Sequence, residues 1–565
     1  MDRRRFCKLT GAWAATSLAG CGRDPGDLRH IAGGFTGIAH ERGHVLRDGL
    51  PGSPRSPART RQVQVLILGG GVAGLAAARA LRLRGLEDFA LLELEDNAGG
   101  NSRSSTVGGI ACPLGAHYLP VPGDDAPEVQ DLLEELGLRQ RVAGRWHYDE
   151  RHLCHSPQER LFFQGEWQEG LLPVQGVGEA TLAQYRRFAA LVSQLQQSAA
   201  WTIPIQNTPL APVKRSLVAT TFVAYLLQHG LDDAHLHWYL AYCCRDDYGA
   251  GIATVSAWAG IHYFASRHGF HAPGQAGGDH EGVLTWPEGN AWLTQRLAAP
   301  LGERLHSGRV VVRIANLRHG VEVDAWDAAN GTMERWQAPA AVVALPVLVA
   351  ARVVENPPTF LREAQSRIRY APWLVANLHL QRPLHDRPGA PPSWDNVLYT
   401  ANPTLGGGLG YVDATHQLLH PVRGATVLTH YRALGDTAGA PDEHTGAAGR
   451  RLLAKRAWAD WRDTIVAELS QAHPDLADQA TRLDITRYGH AMAIPLPQAD
   501  GQIGHWPPRN MGILLSKSKR LHSTTPLRPV LRWERLRFAH SDWAGYSVFE
   551  EAFAAGNAVG HALAS

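Results

Sequence analysis

The chain has 565 residues, 44% of them hydrophobic and 19% charged, with a formal net charge of +2. At about 150 residues per domain it holds roughly three to four units, enough to bury a large core without a metal or disulfide staple. Its apolar content excludes a disordered chain and its six cysteines are too few for a disulfide scaffold. The near balance of 55 basic and 53 acidic residues leaves no excess field for nucleic acid.

At the N-terminus, Arg3-Arg4-Arg5-Phe6-Cys7-Lys8 precedes a mildly apolar stretch from Leu9 to Gly20, followed by Cys21. That stretch is shorter than the roughly 20 residues a membrane-spanning helix needs, so it reads as a targeting segment, 1–21. The paired arginines resemble a twin-arginine export signal. Leu18-Ala19-Gly20-Cys21 resembles a bacterial lipobox, which implies a lipid on Cys21 and residence at the periplasmic face of a membrane. By the same resemblance, Gly22 favours the outer membrane. Residues 22–60 are rich in Gly, Pro, Arg and His, a composition expected of a tether, although Phe35, His40 and His44 are more than a spacer requires.

Val63 to Leu68 is a β-branched and apolar run with the pattern of a buried parallel strand. It enters Gly69-Gly70-Gly71-Val72-Ala73-Gly74 and then an Ala/Leu-rich helix from Leu75 to Leu83. In this dinucleotide fingerprint Gly69 allows the tight turn, Gly71 lets backbone approach a diphosphate, and Gly74 lets helix and strand pack closely. A second strand, Phe89 to Leu92, ends at Glu93, nineteen residues past Gly74. A carboxylate there accepts from ribose hydroxyls and repels a 2′-phosphate.

The following stretch, Glu93-Leu94-Glu95-Asp96-Asn97-Ala98-Gly99-Gly100-Asn101-Ser102-Arg103, resembles the second flavin motif of the FAD-dependent amine oxidase and phytoene desaturase superfamily. The resemblance implies FAD as cofactor, with Gly99, Gly100 and Arg103 around its diphosphate. Asn101 stands where an arginine is common. Leu114-Gly115-Ala116-His117 is similar to the superfamily segment beneath the isoalloxazine, and Val310 to Ile314 to the strand whose backbone meets adenine, at Val311. Leu536 to Asp542 is similar to its last flavin motif, which implies an acidic role for Asp542 and places the Gly545-Tyr546 step beside the ring.

The resemblance implies an α/β fold in which a Rossmann-like FAD-binding domain interleaves with an α+β substrate domain. The FAD-binding pieces are expected at 61–140, 281–355 and 483–565, and the substrate pieces at 141–280 and 356–482. The first insert reads as mainly helical and the second as a sheet. Residues 338–351, with Pro339 and Pro346, read as a buried strand followed by a helix. Leu453, Ala457, Trp461, Ile465 and Leu469 recur every fourth position as one face of an amphipathic helix.

For amine substrates the cofactor takes the hydride, and the protein positions and desolvates. An aromatic cage with Tyr546, or more weakly Trp543, suits a cationic head. Trp373, Trp394 and Tyr399 read first as packing. Asp246 and Asp247, in Cys243-Cys244-Arg245-Asp246-Asp247-Tyr248-Gly249, are candidates for holding an ammonium or relaying protons; a helix-end turn with Arg245 paired to an acid is the competing reading. His490 is a candidate base, with a satisfied polar residue near the ring as the favoured reading. The superfamily's usual flavin-site lysine falls near Val375, and none of the five lysines lies between 215 and 454, which favours an electron acceptor other than oxygen. A covalent cysteinyl link near the C-terminus is excluded, since the last cysteine is Cys244. No histidine pair has a zinc spacing, so no metal is expected. Cys112, Cys154, Cys243 and Cys244 remain open to pairing in an oxidising compartment. The expected function is oxidation of a small-molecule amine, with polyamines among the candidates, by a non-covalent FAD enzyme anchored to a membrane. The alternatives are a polyene desaturase or isomerase, and a non-catalytic flavoprotein partner.

Overall fold

In a computed structural model the chain is described over residues 27–49, 56–205, 211–274, 282–400, 407–418, 424–440, 443–505, 513–515 and 529–564. The targeting segment 1–21, with Cys21, lies outside them.

The strand Val65–Leu68 is buried along its whole length inside a seven-stranded sheet. On one side it pairs in parallel with Phe89–Leu92 and then Leu305–His306; on the other it pairs in parallel with Ala340–Val343 and then Leu536–Phe538. Two antiparallel strands, Pro529–Trp533 and Ile513–Leu515, complete the edge. Alternation sends Val65 and Ile67 into a core with the helices Val72–Leu83 and Phe549–Leu563, while Leu66 and Leu68 enter one with Val311, Val323 and Trp336. That second core is covered by the antiparallel strands Arg309–Leu317, Gly320–Asp327 and Thr332–Ala338. The expected strand and helix within 338–351 are Ala340–Val343 and Val347–Val353.

The other unit is built on an eight-stranded sheet around Tyr370–Leu380, which pairs antiparallel with both Thr426–Ala433 and Ala480–Ala493. Among the described residues five helices stand over it, from Glu179–Ser198 to Ala257–Ala265. One of them, Ala234–Tyr248, is capped by the Asp233 carboxylate, which accepts from His235 and Leu236 amides at 2.9 and 3.0 Å. It stops at Gly249, whose φ of 73° suits glycine.

Three sequence expectations need correction. The stretch assigned to a tether contains a strand, Ala32–Phe35, and a helix, His40–Asp48. The strand pairs in parallel with Arg482–Ile485, because backbone pairing needs no apolar side chains. Ala480–Ala493 lies wholly in the eight-stranded sheet, so the segment after 483 joins the FAD-binding unit only beyond that strand. The four-residue periodicity of 453–469 spans two helices, Ala447–Lys455 and Trp458–Leu469, separated by extended backbone at Arg456 and Ala457.

Cys112, Cys154, Cys243 and Cys244 are free thiols. Among the described residues no helix is long and apolar enough to cross a membrane, and no group of three or more His, Cys, Asp or Glu is placed to hold a metal.

Candidate active site

A single 480 Å³ cavity runs from the glycine turn after Val65–Leu68 to the C-terminal end of Ala234–Tyr248. Gly69, Gly71, Glu93, Gly99, Gly100, Gly115, Val311 and Asp542 all line it. Gly69 has a φ of 101°, open to glycine at little cost. Gly74 lies outside the lining, and a methyl group there would overlap the Gly69 carbonyl oxygen, so it serves helix–strand packing. Gly71 is the opposite case: a Cβ there meets no protein atom nearer than Gly100 Cα at 4.0 Å. The cavity, rather than neighbouring protein, is what the missing side chain leaves room for. With the N-terminus of the twelve-residue helix Val72–Leu83 beside it, this cradle fits the diphosphate of a dinucleotide.

Glu93 is buried, and its carboxylate accepts from the Gly70 amide at 2.7 Å and the Glu95 amide at 2.8 Å. Burial raises its carboxyl above the ordinary value although those amides oppose the shift. Asp542 accepts from the Tyr370 hydroxyl at 2.6 Å and the Val347 amide at 2.9 Å. Burial alone would push its carboxyl up, but His540, Tyr370 and Val347 together hold it below the usual range. Arg103, expected to bring positive charge to the cavity, does not line it. Its guanidinium donates to the Gly100 carbonyl at 2.9 Å and pairs with Glu95 at 3.4 Å, bracing the loop from behind. Asn101 lines the cavity in its place.

At the far end Asp246 and Asp247 both line the cavity from the last turn of Ala234–Tyr248. Carboxylates there oppose the helix dipole, so the fold bears a cost for them. They have different partners. Asp247 faces the Arg267 guanidinium at 3.1 and 3.2 Å, while Asp246, among the described residues, accepts from the Tyr118 hydroxyl at 3.1 Å. Arg245 is not that partner. Burial, and then the charge of Asp247, push the Asp246 carboxyl up to about 7 against Tyr118 and Arg267. His117, Tyr118, Trp373 and Tyr431 form aromatic walls, with His117 and Tyr431 stacked at 4.4 Å. Burial drives His117 down to about 3, so it stays neutral near the acids. Glu550 and Arg267 complete the lining at this end; burial raises the Glu550 carboxyl.

Tyr546, expected beside the flavin ring, does not line the cavity. Its hydroxyl donates to Glu551 at 2.8 Å and meets His262 at 3.2 Å, which holds the ring in a buried aromatic cluster with Trp258 and Tyr248. Trp543 packs on Phe360 and Phe538. Trp394 touches His117 and Tyr118 from outside the lining, and Tyr399 packs against Phe163 and Trp238. Trp373 is the one candidate of that set that reaches the cavity. His490 reaches it too, beside Tyr370 at 5.7 Å, with burial lowering it to about 4. Val375 also lines the cavity, and no lysine does among the described residues; Lys214 is buried against the Trp201 ring instead.

A glycine-lined cradle continuous with an acidic, aromatic end has the form of a dinucleotide-cofactor site with room beside the cofactor. The flavin containing amine oxidoreductase family model matches residues 72–559, and the chain belongs to that family, with FAD as its cofactor. It is 30% identical over 170 residues to putrescine oxidase of Kocuria rosea, covering 30% of this chain and 32% of the relative. It is 28% identical over 199 residues to an L-amino acid dehydrogenase of Synechocystis, covering 35% and 38%. These matches thus span about a third of the length of the curated relatives. A solved structure of putrescine oxidase bound to putrescine superposes with a TM-score of 0.59 at 18% identity, covering 89% of this chain and 98% of that one. A fatty acid isomerase from P. acnes superposes at 0.57 with 14% identity, covering 88% and 97%. At such identities the likeness is one of fold.

Proposed function

We propose that the protein oxidises a small cationic amine, held between the acidic pair and the aromatic walls at the end of the cavity. The observation that carries this reading is the pair Asp246 and Asp247 in the same cavity as the glycine cradle. When bound, FAD supplies the two-electron acceptor for a hydride leaving the carbon beside nitrogen. Gly69, Gly71, Gly99 and Gly100 would hold it along its diphosphate, with Glu93 at a ribose and Asp542 near the flavin end.

The chain's own residues then have three tasks. The Asp246 carboxylate attracts an ammonium group and, with its carboxyl near 7, accepts a proton from it at Oδ so that a neutral amine forms. Asp247 is committed to Arg267 and fixes the helix end that carries Asp246. His117, Trp373 and Tyr431 exclude water, and their faces favour a cation. The absence of a lysine from the described lining supports an electron acceptor other than dioxygen. The fatty acid isomerase likeness keeps an apolar-chain substrate as the competing reading, and the carboxylates at the chamber end weigh against it.

Anaerobic mixing of the holoprotein with a panel of mono- and diamines tests the reading: cationic amines should bleach the flavin absorbance. Bleaching by polyenes or alcohols alone would overturn it, and an inert flavin throughout would favour a non-catalytic partner. We further propose export through the twin-arginine-like signal and a lipid on Cys21. Cys21→Ser should move the protein from the membrane to the soluble fraction of the periplasm; a variant still in the membrane pellet would refute the lipid anchor.

A further inference from the structure

The family match begins at residue 72, yet residues 27–49 are folded onto both units. Ala32–Phe35 adds an edge strand to the eight-stranded sheet, and the Thr36 amide donates to the Ile485 carbonyl at 2.9 Å. Arg487, further along the same partner strand, places its guanidinium 3.7 Å over the Phe35 ring. The chain then crosses to the other unit. The Ala39 amide donates to the Glu95 carboxylate at 3.2 Å, where the helix His40–Asp48 begins. Arg42 donates to the Leu94 carbonyl at 3.2 Å and to Asp96 at 2.7 Å. Val45 is buried, and Leu46 lines the cavity.

Leu94, Glu95 and Asp96 directly follow Glu93, the carboxylate at the end of the second strand that marks a ribose site. Leu46 packs with the cluster containing Val311, Val347 and Ala350, and Val311, Leu345 and Val349 share the cavity wall with it. An apolar slot next to that carboxylate has the chemistry of an adenosine site: a flat base between aliphatic side chains, and hydroxyls toward the acid.

We propose that residues 32–48 are a clasp forming the outer wall of the adenosine end of the FAD site, with Leu46 as the contact residue and the Ala32–Phe35 strand as its fastening. The inference concerns cofactor retention and stands whether or not the substrate is an amine. The clasp ties the sheet of the substrate unit to the loop after Glu93, so it resists separation of the two units while FAD is in place.

Two substitutions attack it from opposite ends. Leu46→Asp puts a charge on the slot. Gly33→Val acts on the fastening, because Gly33 has a φ of 140° and a side chain there would overlap the Leu483 carbonyl. Apoprotein of the full chain is titrated with FAD, and ADP and FMN are used as competing fragments that do and do not carry adenosine. Both variants should weaken FAD and ADP binding about tenfold or more, the scale of one buried leucine contact, and leave FMN competition unchanged. FAD should also slow tryptic cleavage at Arg42 and Arg47 in the unsubstituted protein. Should Leu46→Asp fail to fold, Leu46→Ala carries the same comparison. FAD and ADP affinities within about twofold of the parent, with proteolysis reporting an undocked clasp, would overturn the proposal, as would an equal loss of FMN binding.

Discussion

The two ends of the cavity are built in different ways. At the cofactor end backbone does most of the work, and the glycines that permit it fall in two short runs: Gly69 and Gly71, then Gly99 and Gly100. At the acidic end, the proposed substrate end, side chains do the work, and they arrive from distant segments: Tyr118, Asp246, Asp247, Arg267, Trp373, Tyr431 and Glu550. A short helix-and-turn motif can specify the first, whereas the second exists only after long-range packing. Change at the cofactor end should therefore be all or none, and change at the substrate end graded and separable.

The largest effect separates two glycines three residues apart. Gly71→Val directs its side chain into open cavity, so the fold should survive while FAD affinity falls by about 3 kcal/mol or more, on the order of a hundredfold. Gly74→Val drives a side chain into the Gly69 carbonyl and should cost soluble yield before any question of cofactor arises. Circular dichroism and the ratio of flavin to protein absorbance read the two outcomes. A yellow, fully loaded Gly71→Val protein would break the contrast.

The neighbouring aspartates should also separate. Asp247→Asn removes the carboxylate that pairs directly with the Arg267 guanidinium and leaves it the Tyr263 carbonyl and ring in a buried setting. Loss of one partner from such a pair destabilises by about 3 kcal/mol. Denaturant unfolding of the holoprotein should register that loss in Asp247→Asn and not in Asp246→Asn. Equal destabilisation of both would mean that the acids act as one unit.

Much of the cofactor end is legible in the sequence because its physics is local. Glycines mark where backbone needs room, and Glu93 follows at the spacing a βαβ unit sets. The failures have physical causes. Charge alone points Arg103 at the diphosphate, but Glu95 and the Gly100 carbonyl capture its guanidinium. Its place after Gly545 points Tyr546 at the ring, but Glu551 and His262 hold its hydroxyl in the core. Arg267 and Tyr431 carry no local signal, since what makes them part of the site is a fold that brings residues 118, 246, 267 and 431 together. The clasp was hidden for a related reason: its strand is fastened by backbone hydrogen bonds, which composition does not report.

Asp246→Asn sharpens the comparison through pH. Cationic amines should lose about 2 kcal/mol of transition-state binding, roughly thirtyfold in kcat/KM, on loss of a charged hydrogen-bond partner. In the parent protein kcat/KM should rise with pH through about 7 as Asp246 ionises, and this limb should vanish in the variant. Stability has the opposite sign. The folded-state value lies above that of an exposed aspartate, so the contribution of Asp246 is fully present below about pH 4 and is lost as pH rises through about 7. Above that range the asparagine variant should be the more stable protein. An acidic limb that persists unchanged in Asp246→Asn would assign it to another group.

The smallest expected effect is also the most specific. Tyr118 donates to Asp246 at 3.1 Å and favours its charged form, against burial and against Asp247. Tyr118→Phe keeps the ring that walls the cavity beside His117 and removes only that donor. The Asp246 carboxyl should then rise further, so the acidic limb of kcat/KM moves to higher pH while the plateau beyond it stays. Below the limb the loss should be about 1 kcal/mol, roughly fivefold, the size of one hydrogen bond. A uniform drop across the whole pH range would mean that the hydroxyl touches substrate rather than acting through Asp246.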